Sequence, residues 1–294
     1  MRIRMGWEQI RKLILCITVL ATACQSAPTD RYRDTANNIL LVDATGLEVT
    51  LQKPARRIIS LVPSATQILK ALGVGHVLVG RTDFDNEDWV ISVPSLGGGL
   101  KPNFEKIIAL NPDLVVLFAG DQDPHTRSRL DDFGITQVAI RPDRLTDLYA
   151  SIILLGQATG TEPVADSIIS TIKKDLTDLQ RWTATRPKLR TVYLLGGSPP
   201  WVAGPDTYID EILRLAGGRN VFSDLEFLYG PVSPEQIRSR EIDVVLVSDR
   251  SQFDAMLTPG ARIEEIGNTL EFPGPNVAQA ARHVAELLHR DLLR

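Results

Sequence analysis

The chain has 294 residues, 44% apolar and 23% charged, a globular balance able to bury the core of one large domain or two medium ones. Its net charge is −4, which excludes a general nucleic-acid binder, since that role needs a basic face or stripe. Both cysteines, Cys16 and Cys24, lie in the first 24 residues, so the body carries no disulfide framework, thiolate zinc site or cysteine nucleophile. The four histidines are His76, His125, His283 and His289. The last two fall on roughly opposite sides of a helix, and no metal site is expected.

Taken in chain order, the first 27 residues read as an address. Arg2, Arg4, Arg11 and Lys12 precede an apolar run of 11 residues, Leu13 to Ala23. A membrane-spanning helix needs about 18 or more, so residues 1–23 are expected to be a signal peptide. The run ends Leu20-Ala21-Thr22-Ala23-Cys24, and small residues before a cysteine resemble a bacterial lipobox, although the leucine stands one place further back than usual. Cleavage there would leave Cys24 to carry lipid and anchor the protein to a membrane. An ordinary secretory signal with an incidental cysteine is the alternative. Residues 24–42 are assigned to the lipidated end and a polar tether.

From Asp43 the pattern is α/β. Arg57 to Val62 reads as a buried strand, followed by a helix for which Ser64-Ala-Thr-Gln67 predicts a capping box and Gly73 the stop. Further strands are expected at His76–Gly80, Leu114–Phe118 and Thr136–Ile140, with helices over 103–110 and 124–133 between them. This alternation implies βα units and a parallel sheet over residues 43–144. Residues 145–185 read as helical except near Gly160 to Pro163. A second α/β lobe over 186–294 has strands at Leu189–Leu195 and Asp243–Val247, and helices at Thr207–Ala216, Ser233–Arg240 and Asn276–Leu293. The expected fold is two Rossmann-like lobes with parallel sheets, joined by a long, rigid backbone helix.

A weak internal repeat supports equivalent lobes. Residues 103–115 align without gaps to 233–245, so that Glu105 matches Glu235, Ile107 matches Ile237, Asp113 matches Asp243 and Val115 matches Val245. Each copy is a capped helix with a glutamate in its first turn, then a strand. Duplication explains this, and so does independent selection of acids at helix starts.

Enzyme motifs are mostly missing: there is no nucleophile elbow and no Walker loop, and Gly97-Gly98-Gly99 reads as a mobile loop rather than a phosphate cradle. No catalytic residue and no cofactor is expected. The positive signal is aromatic. Ligands of open α/β sheets bind outside the carboxyl ends of the strands, and Phe84, Phe118, Trp201 and Tyr229 fall at such ends or in the loops beside them, two per lobe. An aromatic cleft suits a large, flat ligand; core packing is the competing role for each ring. Arg81, Arg127 and Arg250 are the candidate cations near loops.

Three stretches carry a resemblance: Arg57-Ile-Ile-Ser-Leu-Val-Pro-Ser-Ala-Thr-Gln67, Asn103-Phe-Glu-Lys-Ile-Ile-Ala-Leu-Asn-Pro-Asp-Leu-Val115 and Ser233-Pro-Glu-Gln-Ile237. Through them the chain resembles the helical-backbone class of periplasmic binding proteins, which serve ABC importers for cobalamin, ferric siderophores and haem. The resemblance implies a monomeric, extracytoplasmic subunit that clamps a metal chelate between two lobes and delivers it to a permease driven by its ATPase. It also implies that Glu105 and Glu235 dock on permease arginines. Ser198-Pro-Pro-Trp-Val-Ala-Gly204 is similar to the loop that supplies a ring against the corrin in cobalamin-binding members. Phe84, Phe118 and Tyr229 match further aromatic places, and Arg81 is placed with them as a ligand contact. Two departures stand out: Gly97-Gly98-Gly99 replaces a tryptophan-bearing loop, and Glu271-Phe-Pro-Gly-Pro275 lacks the arginine of an acidic–basic pair. Cobalamin or a related corrinoid is the first expectation, a ferric siderophore or haem the alternative, and an extracytoplasmic enzyme on this scaffold a third reading.

Overall fold

The structure, a computed structural model, describes residues 38–120 and 124–290. The expected signal peptide and Cys24 lie outside the described residues. The described residues open on a hairpin that takes in part of the expected tether. β1 (Ile39–Val42) pairs antiparallel with β2 (Glu48–Leu51). Among the described residues the first strand therefore starts at Ile39, ahead of the expected lobe boundary at Asp43. Leu41 is fully buried, and the buried Asp43 carboxylate ties the hairpin to the first lobe. It accepts the backbone N–H of Thr45 (2.8 Å), Leu47 (3.2 Å) and Ala139 (3.0 Å), and pairs with Arg127 at 2.8 Å.

The first lobe runs β3 (Ile58–Ser60), α1 (Pro63–Ala71), β4 (Leu78–Gly80), α2 (Phe104–Ala109), β5 (Leu114–Phe118), α3 (Pro124–Asp132) and β6 (Gln137–Ile140). All its strands are parallel, in the order β4-β3-β5-β6. The sequence expectation is met in outline and corrected in two details. A 3-10 turn at Gly75–Val77 replaces the first part of the expected strand. The predicted capping box is not formed: Val62 is the N-cap of α1 and makes no side-chain cap bond, with Ser64 already inside the first turn. Pro63 causes the shift, because its fixed φ and missing N–H suit the first helical position.

Residues 145–185 form two helices, α4 (Leu145–Thr159) and α5 (Glu162–Thr183), broken at Gly160–Thr161. The second lobe follows with β7 (Leu189–Leu194), β8 (Trp201–Ala203), α6 (Tyr208–Leu215), β9 (Gly218–Asn220), β10 (Tyr229–Pro231), α7 (Pro234–Arg238), β11 (Val244–Val247), β12 (Arg262–Glu265) and α8 (Val277–His289). Its sheet has a parallel part, β9-β7-β11-β12, extended by antiparallel β8 and β10.

Alternation along the strands explains the packing. Ile58, Leu114 and Val116 face one side of the first sheet, while Ile59, Val115 and Leu117 face the other. Tyr193, Val244 and Leu246 likewise oppose Val192, Val245 and Val247 in the second. Both faces are buried, as parallel strands covered by helices require. One apolar core continues from Ile58 and Leu69 through Ile152 and Ile172 to Leu246 and Val284. It joins both lobes through α4 and α5, and the described residues form one compact unit.

Candidate functional site

The carboxyl ends of β3, β5 and β7 open on a cleft of about 570 Å³ between the lobes. Phe84, Phe118, Trp201 and Tyr229 all line it, as do Leu100 and Phe272. Three of the expected rings are solvent-accessible rather than core: Phe84 is 59% exposed, Phe118 41% and Trp201 46%. Large exposed aromatics gathered around one cavity mark a binding surface.

Local structure aims each ring. Phe84 follows a tight turn in which Asp85 accepts the N–H and hydroxyl of Thr82 (2.9 and 2.7 Å), while the Thr82 hydroxyl accepts the N–H of Phe84. Phe118 ends β5, where the strand leaves the sheet. Trp201 opens β8, held by exchange of backbone bonds with Leu195 and Gly196. Tyr229 opens the neighbouring strand β10, opposite Ala203. From the second lobe Phe272 reaches Phe84, with ring centroids 6.4 Å apart and planes tilted by 48°.

Arg81 is a correction. It does not line the cleft; it is buried, and its guanidinium donates to the carbonyls of Thr82 (2.8 Å), Val93 (3.0 Å) and Ile91 (3.2 Å). Its work is to close the loop that carries Phe84. Arg127 is committed to Asp43, and Arg250 does not line the cleft either. The Gly97–Gly99 loop is held at its end: a Cβ on Gly99 would lie 2.1 Å from the Leu61 carbonyl oxygen, so only glycine allows this approach to the cleft floor.

The ionisable groups that line the cleft among the described residues are Asp143, Glu271, Tyr208 and Tyr229, with no lysine, arginine or histidine. Asp143 pairs with Arg141 at 2.6 Å. Burial pushes the Glu271 carboxyl up, and it makes no hydrogen bond or ion pair with another described residue. Burial also raises Tyr229 and Tyr208, keeping both phenols neutral. The Tyr208 hydroxyl donates to the Leu270 carbonyl, whereas that of Tyr229 is buried beside the Thr207 side chain. Among the described residues no group of three or more His, Cys, Asp or Glu side chains is placed to hold a metal ion.

Glu105 and Glu235 do not line the cleft. Both are exposed in the first turns of α2 and α7, behind N-caps Asn103 and Ser233 whose side chains accept the N–H of Lys106 (3.0 Å) and Gln236 (3.2 Å). Sequence reasoning missed Phe272, Glu271, Asp143 and Tyr208. The loop bearing Glu271 and Phe272 departs from the resembled class, but no local pattern ties it to Phe84. Tyr208 reads as an ordinary apolar helix residue.

The chain belongs to the periplasmic binding protein family, which it matches over residues 58–265. A vitamin B12-binding protein of Vibrio cholerae is 28% identical over 199 residues, covering 67% of this chain and 72% of that protein. An ABC transporter substrate-binding lipoprotein of Bacillus subtilis, YvrC, is 29% identical over 224 residues, covering 72% and 71%. The solved structure of the periplasmic haem-binding protein HutB of Vibrio cholerae matches with a TM-score of 0.69 at 25% identity, covering 79% of this chain and 98% of that one.

Proposed function

We propose that this protein is the extracytoplasmic substrate-binding subunit of an ABC importer and that its ligand is cobalamin or a related corrinoid. The observation that carries the ligand choice is the charge of the cleft: six aromatic rings, two carboxylates and, among the described residues, no lining cation. A corrin is a large flat ring whose edge is set with uncharged carboxamides. Its face stacks on Phe118 or Trp201, and its amide N–H groups suit Asp143 and Glu271. Haem presents two carboxylates and many ferric siderophores are anionic. Either would bring unmatched negative charge to a partly dry site that already holds two acids. The relatives named for vitamin B12 and for haem show that this fold serves both chemistries, so charge rather than fold is the discriminator.

In this reading Cys24 carries the lipid that keeps a monomeric protein at the membrane. Glu105 and Glu235, one per lobe, engage cations of the permease, whose ATPase drives release. The protein binds without turnover.

The test is calorimetric titration of residues 25–294 with cyanocobalamin. Saturable one-to-one binding is expected. No binding at high micromolar ligand would remove the corrinoid and leave the importer class standing.

A further inference from the structure

Beside the cleft lies a second cavity of about 340 Å³, separated from it by the Phe84–Phe272 ring pair; Pro63 and Glu271 border both. It is made by both lobes. The first lobe supplies Thr66 and Gln67 of α1 and the loop from Asp83 to Val90, and the second supplies Asn268, Glu271 and Phe272. Where the cleft is apolar, this cavity is polar.

The hydrogen-bonding state of its wall is informative. Thr66 is 2% exposed, lines the cavity, and its hydroxyl has no partner among the described residues. A buried hydroxyl left unpaired is destabilising unless something pairs with it. The three acids of the loop that line the cavity, Asp83, Asp85 and Glu87, each use one oxygen and keep the other. Asp83 accepts from the Ser95 hydroxyl, and Asp85 accepts twice on Oδ2 from Thr82. Glu87 accepts on Oε2 from Lys70 (2.7 Å) and Trp89 (2.6 Å). Lys70 does not line the cavity, and its ammonium is already paired with Glu87. With Glu271 the wall presents spare carboxylate oxygens, and Thr66, Gln67 and Asn268 can donate.

We propose that this side pocket seats a primary carboxamide arm of the ligand and rejects a carboxylate there. The proposal rests on the corrinoid reading above. An amide NH2 supplies two donors for the acid oxygens, and its carbonyl accepts from the Thr66 hydroxyl or the Asn268 amide. A carboxylate has the same shape but no donor, and would face four acids. The longer propionamide arms of a corrinoid are the ones that reach past the Phe84–Phe272 partition. Because the pocket's walls belong to both lobes, an arm seated there also bridges them.

The experiment measures the affinity of the mature protein for cyanocobalamin and for each of the three monocarboxylic acids made by hydrolysing a single propionamide. One isomer is expected to bind at least about tenfold more weakly than the parent, and the other two within a few fold. Thr66→Val is expected to weaken cyanocobalamin binding by about three- to tenfold without lowering the melting temperature, a pattern that a merely structural hydroxyl would not give. Should that variant fold poorly, Asn268→Ala, at an exposed position on the pocket's rim, is expected to weaken binding in the same direction. Equal affinity for all four corrinoids, equal weakening of all three acids, or unchanged affinity in a folded Thr66→Val overturns the side pocket while leaving the corrinoid cleft intact. Failure of all four to bind overturns the corrinoid reading, and the side-pocket assignment with it.

Discussion

Asp113 and Asp243 hold the same place in the two lobes. Each stands immediately before a central strand, β5 or β11, and accepts the backbone N–H of an arginine at the start of the partner strand: Arg57, just before β3, at 2.9 Å in the first lobe, and Arg190, the second residue of β7, at 2.7 Å in the second. The registers agree, since Ile58 lies opposite Leu114 and Thr191 opposite Val244. The lobes differ in where the guanidinium goes. Arg57 donates to the carbonyls of Leu110 and Asn111, whereas Arg190 turns onto Asp243 itself, with Nη2 at 2.6 Å. The repeat seen in the sequence therefore has a structural counterpart, which supports duplication over convergent capping.

This difference predicts unequal mutational effects. Hydrogen bonds from Arg190 hold the Asp243 carboxyl below the usual range. Its contribution is therefore present above the unfolded value near ~4 and lost as pH falls through the lower native one. Asp243→Asn should lower the urea midpoint at pH 7 more than Asp113→Asn, with the gap closing in acid. Equal losses at both sites and at every pH would contradict it.

Asp43 predicts a larger loss. Burial alone would raise its carboxyl, but the bonds from Thr45, Arg127 and Ala139 outweigh burial and lower it. Asp43→Ala strands those donors and leaves Arg127 without its partner, so a loss of about 3–5 kcal/mol is expected from urea melts. Asp43→Asn should recover part of it.

Trp201 is expected to dominate the aromatic contribution of the second lobe, being exposed in the cleft and rigidly held by β7 and β8. Trp201→Ala should weaken cyanocobalamin binding by about tenfold to a hundredfold, while Trp201→Phe retains much of it. Calorimetry on both variants, with melting temperatures to verify folding, checks this.

Glu105 and Glu235 should separate binding from delivery. The double alanine variant is expected to keep ligand affinity within about twofold, since both side chains are surface groups outside the cleft. Ligand uptake by cells should collapse. The single variants should show partial uptake defects that grow with ionic strength, because such charge pairs are screened. Normal uptake by the double variant would contradict the docking role.

His289 makes stability sensitive to mild acid. Burial lowers its pKa, as do the nearby charges of Arg186, Lys188 and Arg262, which outweigh the raising effect of the bond to the Ala216 carbonyl. Nε2 lies 3.1 Å from that oxygen, and the ring meets Trp182 edge to face. Below the unfolded value of ~6.5 the unfolded chain takes up a proton that the native ring resists, so stability falls with pH. His289→Gln keeps a donor for Ala216 and removes the titration. Its melting temperature should vary less between pH ~7 and ~5 than that of the wild type.

Much of the fold was legible because its causes are local. Leu114 to Phe118 reads as a buried strand from its own run of apolar residues, and the starts of α2 and α7 from Asn103 and Ser233, whose side chains reach only three residues along. The rings at strand ends were legible too, because the parallel sheet itself dictates which end meets a ligand. What the sequence could not determine depended on distant or irregular chain. Ser64 lost its capping role to the adjacent proline. Arg81 looked like a free loop cation until folding brought three carbonyls around it. The pairing of Phe84 with Phe272, and the isolation of Glu271 beside them, depend on two lobes meeting across a core that α4 and α5 hold together. No short-range pattern encodes that meeting, because it is set by packing summed over the whole chain.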